Sequence, residues 1–351
     1  MTAHLFGAGL SPGCSNFALK RTAEDGEGEF GVRAAETLKK NFYVDDALKS
    51  VPTEEEAVEL IHAVKGMCAK GGFRLTKFVS NSPKVMMSAP PEDRAKEIKG
   101  LDLGSDKLPI ERALGVQWCI ESDAFKFRIE LRDKSCTRRG ILGTISSIFD
   151  PLGLIAPVVL VGKQILQEIC HVKSWDEPIA GEVLAKWERW RSNLPLLEQL
   201  DIPRHFKTPD FGRIDTAKLH NMSDALQSAY GQCSYLRLID ENGRIHGSLV
   251  TGKARVAPRK TVTIPRLELT AATVSVRVAS MLKEELDYEE LQEFYWTDAR
   301  SCSNSSVKII SLEDSRCTLQ IEYSSSVTTL YPSNGDTWSL DPTQQMKDQE
   351  E

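Results

Sequence analysis

The sequence predicts a two-domain protein of mixed α+β and α/β class, and three observations carry that prediction. Its 351 residues exceed what one hydrophobic core usually organises. Stretches with period-two alternation, such as Phe125, Phe127, Ile129 and Leu131, sit beside stretches at helical spacing, such as Ala57, Leu60, Ile61, Val64, Met67 and Cys68. The second half then gives three strand-like runs, one long helical run, and a strand-like run ending Phe294-Tyr295-Trp296-Thr297-Asp298. Four blocks result: 1–132, 133–212, 213–302 and 303–351.

Composition narrows the function classes. Hydrophobic content of 41% and charged content of 27% describe an ordinary water-soluble chain. The longest apolar run, 152–162, is interrupted by Pro157 and too short to span a bilayer, so no membrane partner is expected. Eight cysteines stand singly, with no C-x-x-C pair and no secretory start, which predicts reduced thiols and a cytoplasmic or nuclear, non-secreted protein. Net charge is −6, but residues 303–351 carry eight acids and three bases, leaving the body nearly neutral. Any polyanion contact must therefore come from local basic patches.

Taken in order, Gly9-Leu10-Ser11-Pro12-Gly13 matches the G-x-S-x-G nucleophile pattern. That chemistry needs a backbone N–H after the serine, and Pro12 has none. Residues 21–30, acidic and glycine-containing, predict a loop, and residues 32–41 a short helix. Asn41-Phe42-Tyr43-Val44-Asp45-Asp46-Ala47 then runs strand-forming side chains into two carboxylates. Neighbouring strand side chains point to opposite faces, so the chain has to turn and the acids sit at a hairpin tip. Such a pair is tolerable if solvated or neutralised by a divalent cation.

Thr53 and Glu56 form a capping box for a helix that Gly71-Gly72 ends. Residues 73–79 read as a strand, 91–100 as a charged helix, and 113–120 with 125–131 as a hairpin turning at Glu121-Ser122-Asp123-Ala124. Residues 126–139 hold six bases and two acids, which suits a nucleic-acid backbone or a plain solvated face. From Thr137 the spacing is helical, with Ile141, Leu142, Ile145, Ile148 and Phe149 as a stripe that Asp150-Pro151-Leu152-Gly153 terminates. Helices follow over 157–172 and 180–194, with Trp187 and Trp190 at core spacing. Residues 218–224, 233–239 and 244–253 predict strands, with Asn242-Gly243 in a tight turn. Pro265 opens a helix at its first position, running to about 285. Residues 243–267 hold six bases and no acid, and the Ser/Thr-rich tail from 303 is expected to be disordered.

Tyr43-Val44-Asp45-Asp46 resembles the catalytic signature of reverse transcriptases. Residues 42–49, Lys70-Gly71-Gly72-Phe73-Arg74-Leu75-Thr76-Lys77, Arg112-Ala113-Leu114-Gly115-Val116-Gln117-Trp118 and Ile264-Pro265-Arg266-Leu267-Glu268-Leu269-Thr270-Ala271-Ala272 resemble, in that order, the Pao (BEL/Pao) LTR retrotransposon polyprotein. The resemblance runs from about residue 1 to about residue 298. It implies a partial reverse-transcriptase palm with primer-grip hairpin (1–132), a helical connection region (133–212), a truncated ribonuclease H-like domain (213–302) and a tail. The chemistry implied is that of RNA-directed DNA polymerase and ribonuclease H. Asp45 and Asp46 on one side, and Asp224, Glu268 and Asp298 on the other, are the implied catalytic residues and Mg²⁺ ligands. Two such ions about 3.5–4 Å apart polarise a scissile phosphate. Implied nucleic-acid contacts are Ser11, Lys77, Lys126, Arg128, Arg255, Arg259 and Lys260, with RNA, DNA, RNA–DNA hybrid and other parts of the polyprotein as partners.

Two departures qualify the expected activity. Met1 stands just before the Ser11-Pro12 turn, where the family has an upstream strand bearing an essential aspartate. After Asp298 the family's helix, strand and late acid give way to Ser301-Cys302-Ser303-Asn304-Ser305-Ser306. The expectation is a polyprotein fragment with negligible polymerase activity and incomplete two-ion sites. Two alternatives stand beside it: a non-catalytic RNA/DNA-hybrid-binding remnant, and a Pao-type aspartic peptidase region, for which Asp215-Thr216-Ala217 is the nearest motif but lacks the glycine of Asp-Thr-Gly.

Overall fold

The computed structural model describes residues 11–43, 46–95, 110–113, 116–131, 134–170, 174–208, 210–286, 288–297 and 310–311. Three helices lead: α1 (Ser11–Phe30), α2 (Val32–Lys40) and α3 (Glu54–Lys70). They close on a core of Leu19, Ala23, Leu38, Leu60, Val64 and Met67. The loop expected over 21–30 is instead the second half of α1. Its glycine serves packing: a Cβ on Gly26 would come within 2.8 Å of Met67 Cγ, so only glycine lets the helices approach this closely. Helix contact outweighs the weak local propensity there.

Between α2 and α3, β1 (Phe42–Tyr43) and β2 (Asp46–Ala47) pair antiparallel, with Tyr43 opposite Asp46. Thr53 caps α3 by accepting the Glu56 N–H at 3.2 Å. The reciprocal half of the capping box is replaced by an Arg33–Glu56 ion pair at 2.5 Å. Gly71 caps the end and Gly72 takes φ +81°, as expected of a glycine-terminated helix.

Three expectations fail in the next segment. Residues 73–79 form no strand beyond a single Phe78–Arg94 bridge, and Lys77 sits at φ +62°, a left-handed angle that no strand accommodates. The helix expected over 91–100 is a single 3₁₀ turn, Pro91–Asp93, after α4 (Pro83–Ser88); residues 96–100 lie outside the described residues. An unexpected strand, β3 (Ile110–Ala113), pairs antiparallel with β4 (Val116–Cys119), the strand expected over 113–120, with Ala113 opposite Val116; Leu114 and Gly115 are not described. β5 (Ala124–Lys126) ends earlier than expected, although Phe127 stays buried and Arg128 and Glu130 exposed beyond it. The alternation is that of extended chain without a ladder.

α5 (Arg138–Ile145), α6 (Ala156–Ile169) and α7 (Gly181–Asn193) bury Ile141, Ile165, Trp187, Trp190 and Leu194 together. The two tryptophan rings lie 5.1 Å apart. Asp150 closes the turn leading into α6, accepting the Leu154 and Ile155 N–H groups at 2.8 and 2.9 Å. A two-residue strand, β6 (Ile202–Pro203), returns beside β5 and completes the order β3-β4-β5-β6.

The C-terminal sheet holds β7 (Ile214–Leu226), β8 (Ala229–Asp240), β9 (Ile245–Val256), β10 (Leu291–Thr297) and β11 (Ile310–Ser311), in the spatial order β11-β10-β7-β8-β9. β7, β8 and β9 are antiparallel neighbours, whereas β10 runs parallel to β7 and β11 parallel to β10. α8 (Ile264–Glu285) carries the crossover from β9 to β10 and buries Val278, Ala279 and Leu282 with Ala217, Leu219, Leu236 and Leu238. Pro265 occupies its first turn behind the Thr263 cap, one place later than expected. Two residues of the segment after 303 extend the sheet as β11, while 303–309 and 312–351 lie outside the described residues.

Asp240 locks the β8–β9 turn, accepting the Asn242 and Arg244 N–H groups, the Gly212 N–H and the Arg244 guanidinium. Burial pushes its carboxyl up, and these donors outweigh burial and hold it down to about 2. Gly153, at φ +71°, sets the 150–153 turn against β9, where a Cβ would fall 1.7 Å from the Gly252 carbonyl oxygen. Leu152 O accepts the Gly252 N–H at 2.9 Å and the Thr251 hydroxyl at 2.7 Å. The helical region and the sheet are thereby joined through backbone.

Candidate active site

Alternation along β7 sorts its side chains. Ala217, Leu219, Asn221, Ser223 and Ala225 are buried, with Ala217 and Leu219 in the α8 core, while Asp224 is exposed near the strand's end. The Asp224 Oδ1 accepts the Ala225 N–H at 2.6 Å. The parallel register pairs Trp296 with Met222, so β10 ends beside Ser223 and Asp224. The first turn of α8 meets the same end, because Leu267 packs with Ala225 and Ala257. Glu268, next to Leu267, is half-buried. The fold thus brings Asp224 and Glu268 to one end of the sheet through adjacent buried neighbours. Asp298, the next residue after β10, lies outside the described residues, as does Asp45. Asp46 is exposed in β2. Among the described residues no three His, Cys, Asp or Glu side chains form a cluster able to hold a metal ion.

A groove of about 590 Å³ opens beside Asp224, between the sheet face opposite α8 and the start of α6, with Met222, Trp296, Pro157 and Leu160 among its lining. Above it, His220 stacks on Phe294 with ring centroids 5.0 Å apart and accepts the Trp296 indole N–H at 3.1 Å on Nδ1. Burial, then Arg237 and Lys218, lower the His220 pKa, which favours the neutral ring.

The implied nucleic-acid contacts divide into two groups. Arg255, Arg259 and Lys260 are exposed. Asp224 pairs with Gly231, and Gly231 with Ala254, so the Arg255 end of β9 lies two strands, about 10 Å, from Asp224. Lys126 and Arg128 are instead engaged, Lys126 with Asp201 at 2.8 Å and Arg128 with Glu130 at 3.0 Å. Arg139 pairs with Asp176, and Arg244 belongs to the Asp240 lock, so both basic stretches are less available than their counts suggest. Ser11 opens α1, and Lys77 is exposed far from the sheet in sequence.

One family model covers this end of the chain. Residues 137–299 match the Pao retrotransposon-like RNaseH-like domain. The match spans the helices α5–α7, the strands β7–β10 and α8, and ends before β11. A solved structure, "Structure of the foamy viral protease-reverse transcriptase dRH in complex with ds DNA", aligns at 13% identity and TM-score 0.36. The alignment spans 80% of this chain and 42% of that one. No curated protein matches significantly. No described helix is long and apolar enough to cross a membrane.

The Pao-like domain also answers the peptidase alternative. Asp215-Thr216-Ala217 lies inside β7, with Thr216 and Ala217 paired to β8, rather than at the turn an aspartic peptidase needs. Sequence reasoning missed two features. Asp123, at φ 47° in the β4–β5 turn, gathers Arg204, Trp118, Asn81 and His205 around one carboxylate. Nothing local announces partners that lie up to 82 residues away in sequence. The second is a group of buried polar side chains, Asn221, Ser223, Gln232, Ser234 and Ser275, between sheet and α8. A small polar residue every second position in β7 and β8 was the available signal.

Proposed function

We propose that the Pao-like domain binds RNA–DNA hybrid and cleaves its RNA strand, with Asp224, Glu268 and Asp298 as the residues that would hold divalent cations. The observation carrying this reading is the convergence of the β7 end and the first turn of α8 beside the end of β10. The donor set fits Mg²⁺ or Mn²⁺, which take carboxylate oxygens. Such ions, when bound, supply Lewis-acid polarisation of the phosphodiester. The chain's own residues do the rest. Asp224 stands exposed at the strand end, in no salt bridge among the described residues. Arg255, Arg259 and Lys260 hold the duplex backbone alongside, a contact that screens with salt.

Residues 1–132 are read as derived from a polymerase palm, 133–212 as its connection region, 213–302 as the ribonuclease H-like part and 303–351 as a tail, within a BEL/Pao polyprotein. RNA-directed DNA polymerase activity from this chain is expected to be negligible, because Asp46 has no described carboxylate cluster around it.

Incubation of the purified chain with 5′-labelled RNA–DNA hybrid and Mn²⁺ tests the reading. RNA-strand cleavage that D224N and E268Q each abolish is the expected result. Cleavage unchanged in both variants would refute the site. Salt-dependent hybrid binding without cleavage would reduce the domain to a non-catalytic binder. Primer extension on an RNA template, run in parallel, is expected to give no product.

A further inference from the structure

The sheet has a second face, turned away from α8, and the register says what it carries. Ala217 and Leu219 point into the α8 core, so Lys218, His220 and Met222 point the other way. Across β8, Arg237 stands opposite Lys218 and Tyr235 opposite His220. On β10, Phe294 lies beside His220 and Trp296 beside Met222. Met222, Tyr235 and Trp296 also line the groove described above, and Met222 and Tyr235 are each 38% exposed.

One end of this face is positive without compensation. Like charges directly opposite on paired strands repel, and neither Lys218 nor Arg237 is ion-paired among the described residues. Both bear on the His220 ring, whose pKa burial lowers first and these two cations lower further. Asp224 shares the face but lies six residues from Lys218, about 20 Å along β7, too far to neutralise the pair at ordinary salt. An anion laid across the Lys218–Arg237 rung would relieve the repulsion.

The other end is aromatic and already ordered. The His220 ring lies 5.0 Å from that of Phe294 and 5.8 Å from that of Trp296, and its Nδ1 accepts the Trp296 indole N–H at 3.1 Å. Lys218 Nζ sits 5.6 Å from the Phe294 ring centroid, which ties the cation to the same stack. Rings fixed in advance spare a ligand the cost of ordering them. Open rings beside unneutralised cations match unpaired nucleotides, whose bases stack and whose phosphates are anionic.

We propose that this face binds single-stranded nucleic acid, with bases stacked on Trp296 and Tyr235 and phosphates held by Lys218 and Arg237. Neither contact reads the sugar, so RNA and DNA bind alike. The site is separate from Arg255, which belongs to the Asp224 end of the sheet, and it does not depend on a bound cation.

Fluorescence anisotropy of the full chain with labelled oligo(U), oligo(dT) and an abasic oligonucleotide of equal length tests it. The first two are expected to bind with similar affinity. The abasic one is expected to bind at least about fivefold more weakly, the lower end for loss of a stacked base. Tyr235→Ala should cost oligo(U) at least about fivefold and the abasic oligonucleotide little. Neutralising both cations, K218Q with R237Q, should lower the slope of log K against log salt by about 1.4, as for two phosphate contacts on a single strand. Its Tm should hold or rise, because the like-charge pair is gone, and it decides the matter if Tyr235→Ala does not fold. Unchanged affinity in the folded variants, equal binding of the abasic oligonucleotide, or no binding at all would overturn the proposal. Self-association of the chain that Tyr235→Ala abolishes, without oligonucleotide binding, would make the face a contact between copies instead. D224N is expected to keep oligonucleotide binding while losing hybrid cleavage, which separates a failure of this face from a failure of the cleavage site.

Discussion

Asp123 offers the sharpest test of how the segment after the helical region is held against the β4–β5 hairpin. Its Oδ1 accepts Arg204 Nε at 2.6 Å and Trp118 Nε1 at 2.7 Å, and its Oδ2 accepts Arg204 Nη2 at 2.7 Å and Asn81 Nδ2 at 3.2 Å. His205 Nε2 lies against the same Oδ2. The Asp123 side chain is 11% exposed and that of Arg204 25%. Asp123→Asn keeps the shape but turns one acceptor end into an NH₂. Whichever end it takes, at least two donors lose their acceptor, at about 1–3 kcal/mol each. A total of about 3 kcal/mol is expected, the lower end for breaking a buried pair, since Arg204 keeps some water. For a cooperative unit of 150–250 residues that is a Tm drop of roughly 6–12 °C.

The same site fixes the pH dependence. Burial pushes the Asp123 carboxyl up, but Arg204 and Trp118 outweigh it and hold the pKa below the ordinary carboxylate value. A lowered folded pKa stabilises above the unfolded value, about 4, and the contribution is lost as pH falls through the folded value. The gap between wild type and D123N is therefore full at neutral pH and closes in acid. Arg204→Met should cost much less in the D123N background than in wild type. A Tm loss below about 2 °C, or equal cost of Arg204→Met in both backgrounds, would refute the clamp.

Other expectations follow from close backbone contacts and from the hairpin lock. Gly153→Ala cannot keep the docking of residues 150–153 on β9, because its Cβ meets the Gly252 carbonyl; melting should fall by the equivalent of about 2–4 kcal/mol through strain and two lost hydrogen bonds. Gly252→Ala, whose Cβ stands 2.8 Å from the Gly153 oxygen, should cost less, and the reverse order in thermal melts would contradict the geometry. Asp240→Ala should speed hydrogen exchange at the Gly212, Asn242 and Arg244 amides. With the Asp240 pKa at about 2, wild-type protection there should persist to pH 3, below the range in which an ordinary carboxylate protonates.

How much was legible depended on the range of the interactions. α3 was readable because Thr53, the 57–68 stripe and Gly71-Gly72 are all local signals. The β8–β9 turn was readable for the same reason: Asn242-Gly243 supplies its own backbone geometry, with Gly243 at φ +77°. The second half of α1 was not, because Gly26 is explained only by Met67, which α3 brings from 41 residues away. The strand expected at 73–79 failed for the converse reason. Its β-forming residues find no partner strand, and extended chain without a ladder is not a sheet. Of the candidate site, the proposed acids come from the Pao resemblance, whereas the burial of Gln232 and Asn221 was not legible, since burial of a polar side chain has no local signature.

Taken alone, the amino-acid order determined the succession of helices and strands in the C-terminal half and the resemblance that residues 137–299 bear out. Tertiary structure decided that β11 joins the sheet, that Gly153 fastens the helical region to β9, and that polar side chains are buried between the sheet and α8. The division has one physical cause. Caps, turns and amphipathic periods are short-range and written in adjacent residues, whereas close backbone approach and buried hydrogen bonds exist only once distant segments have met.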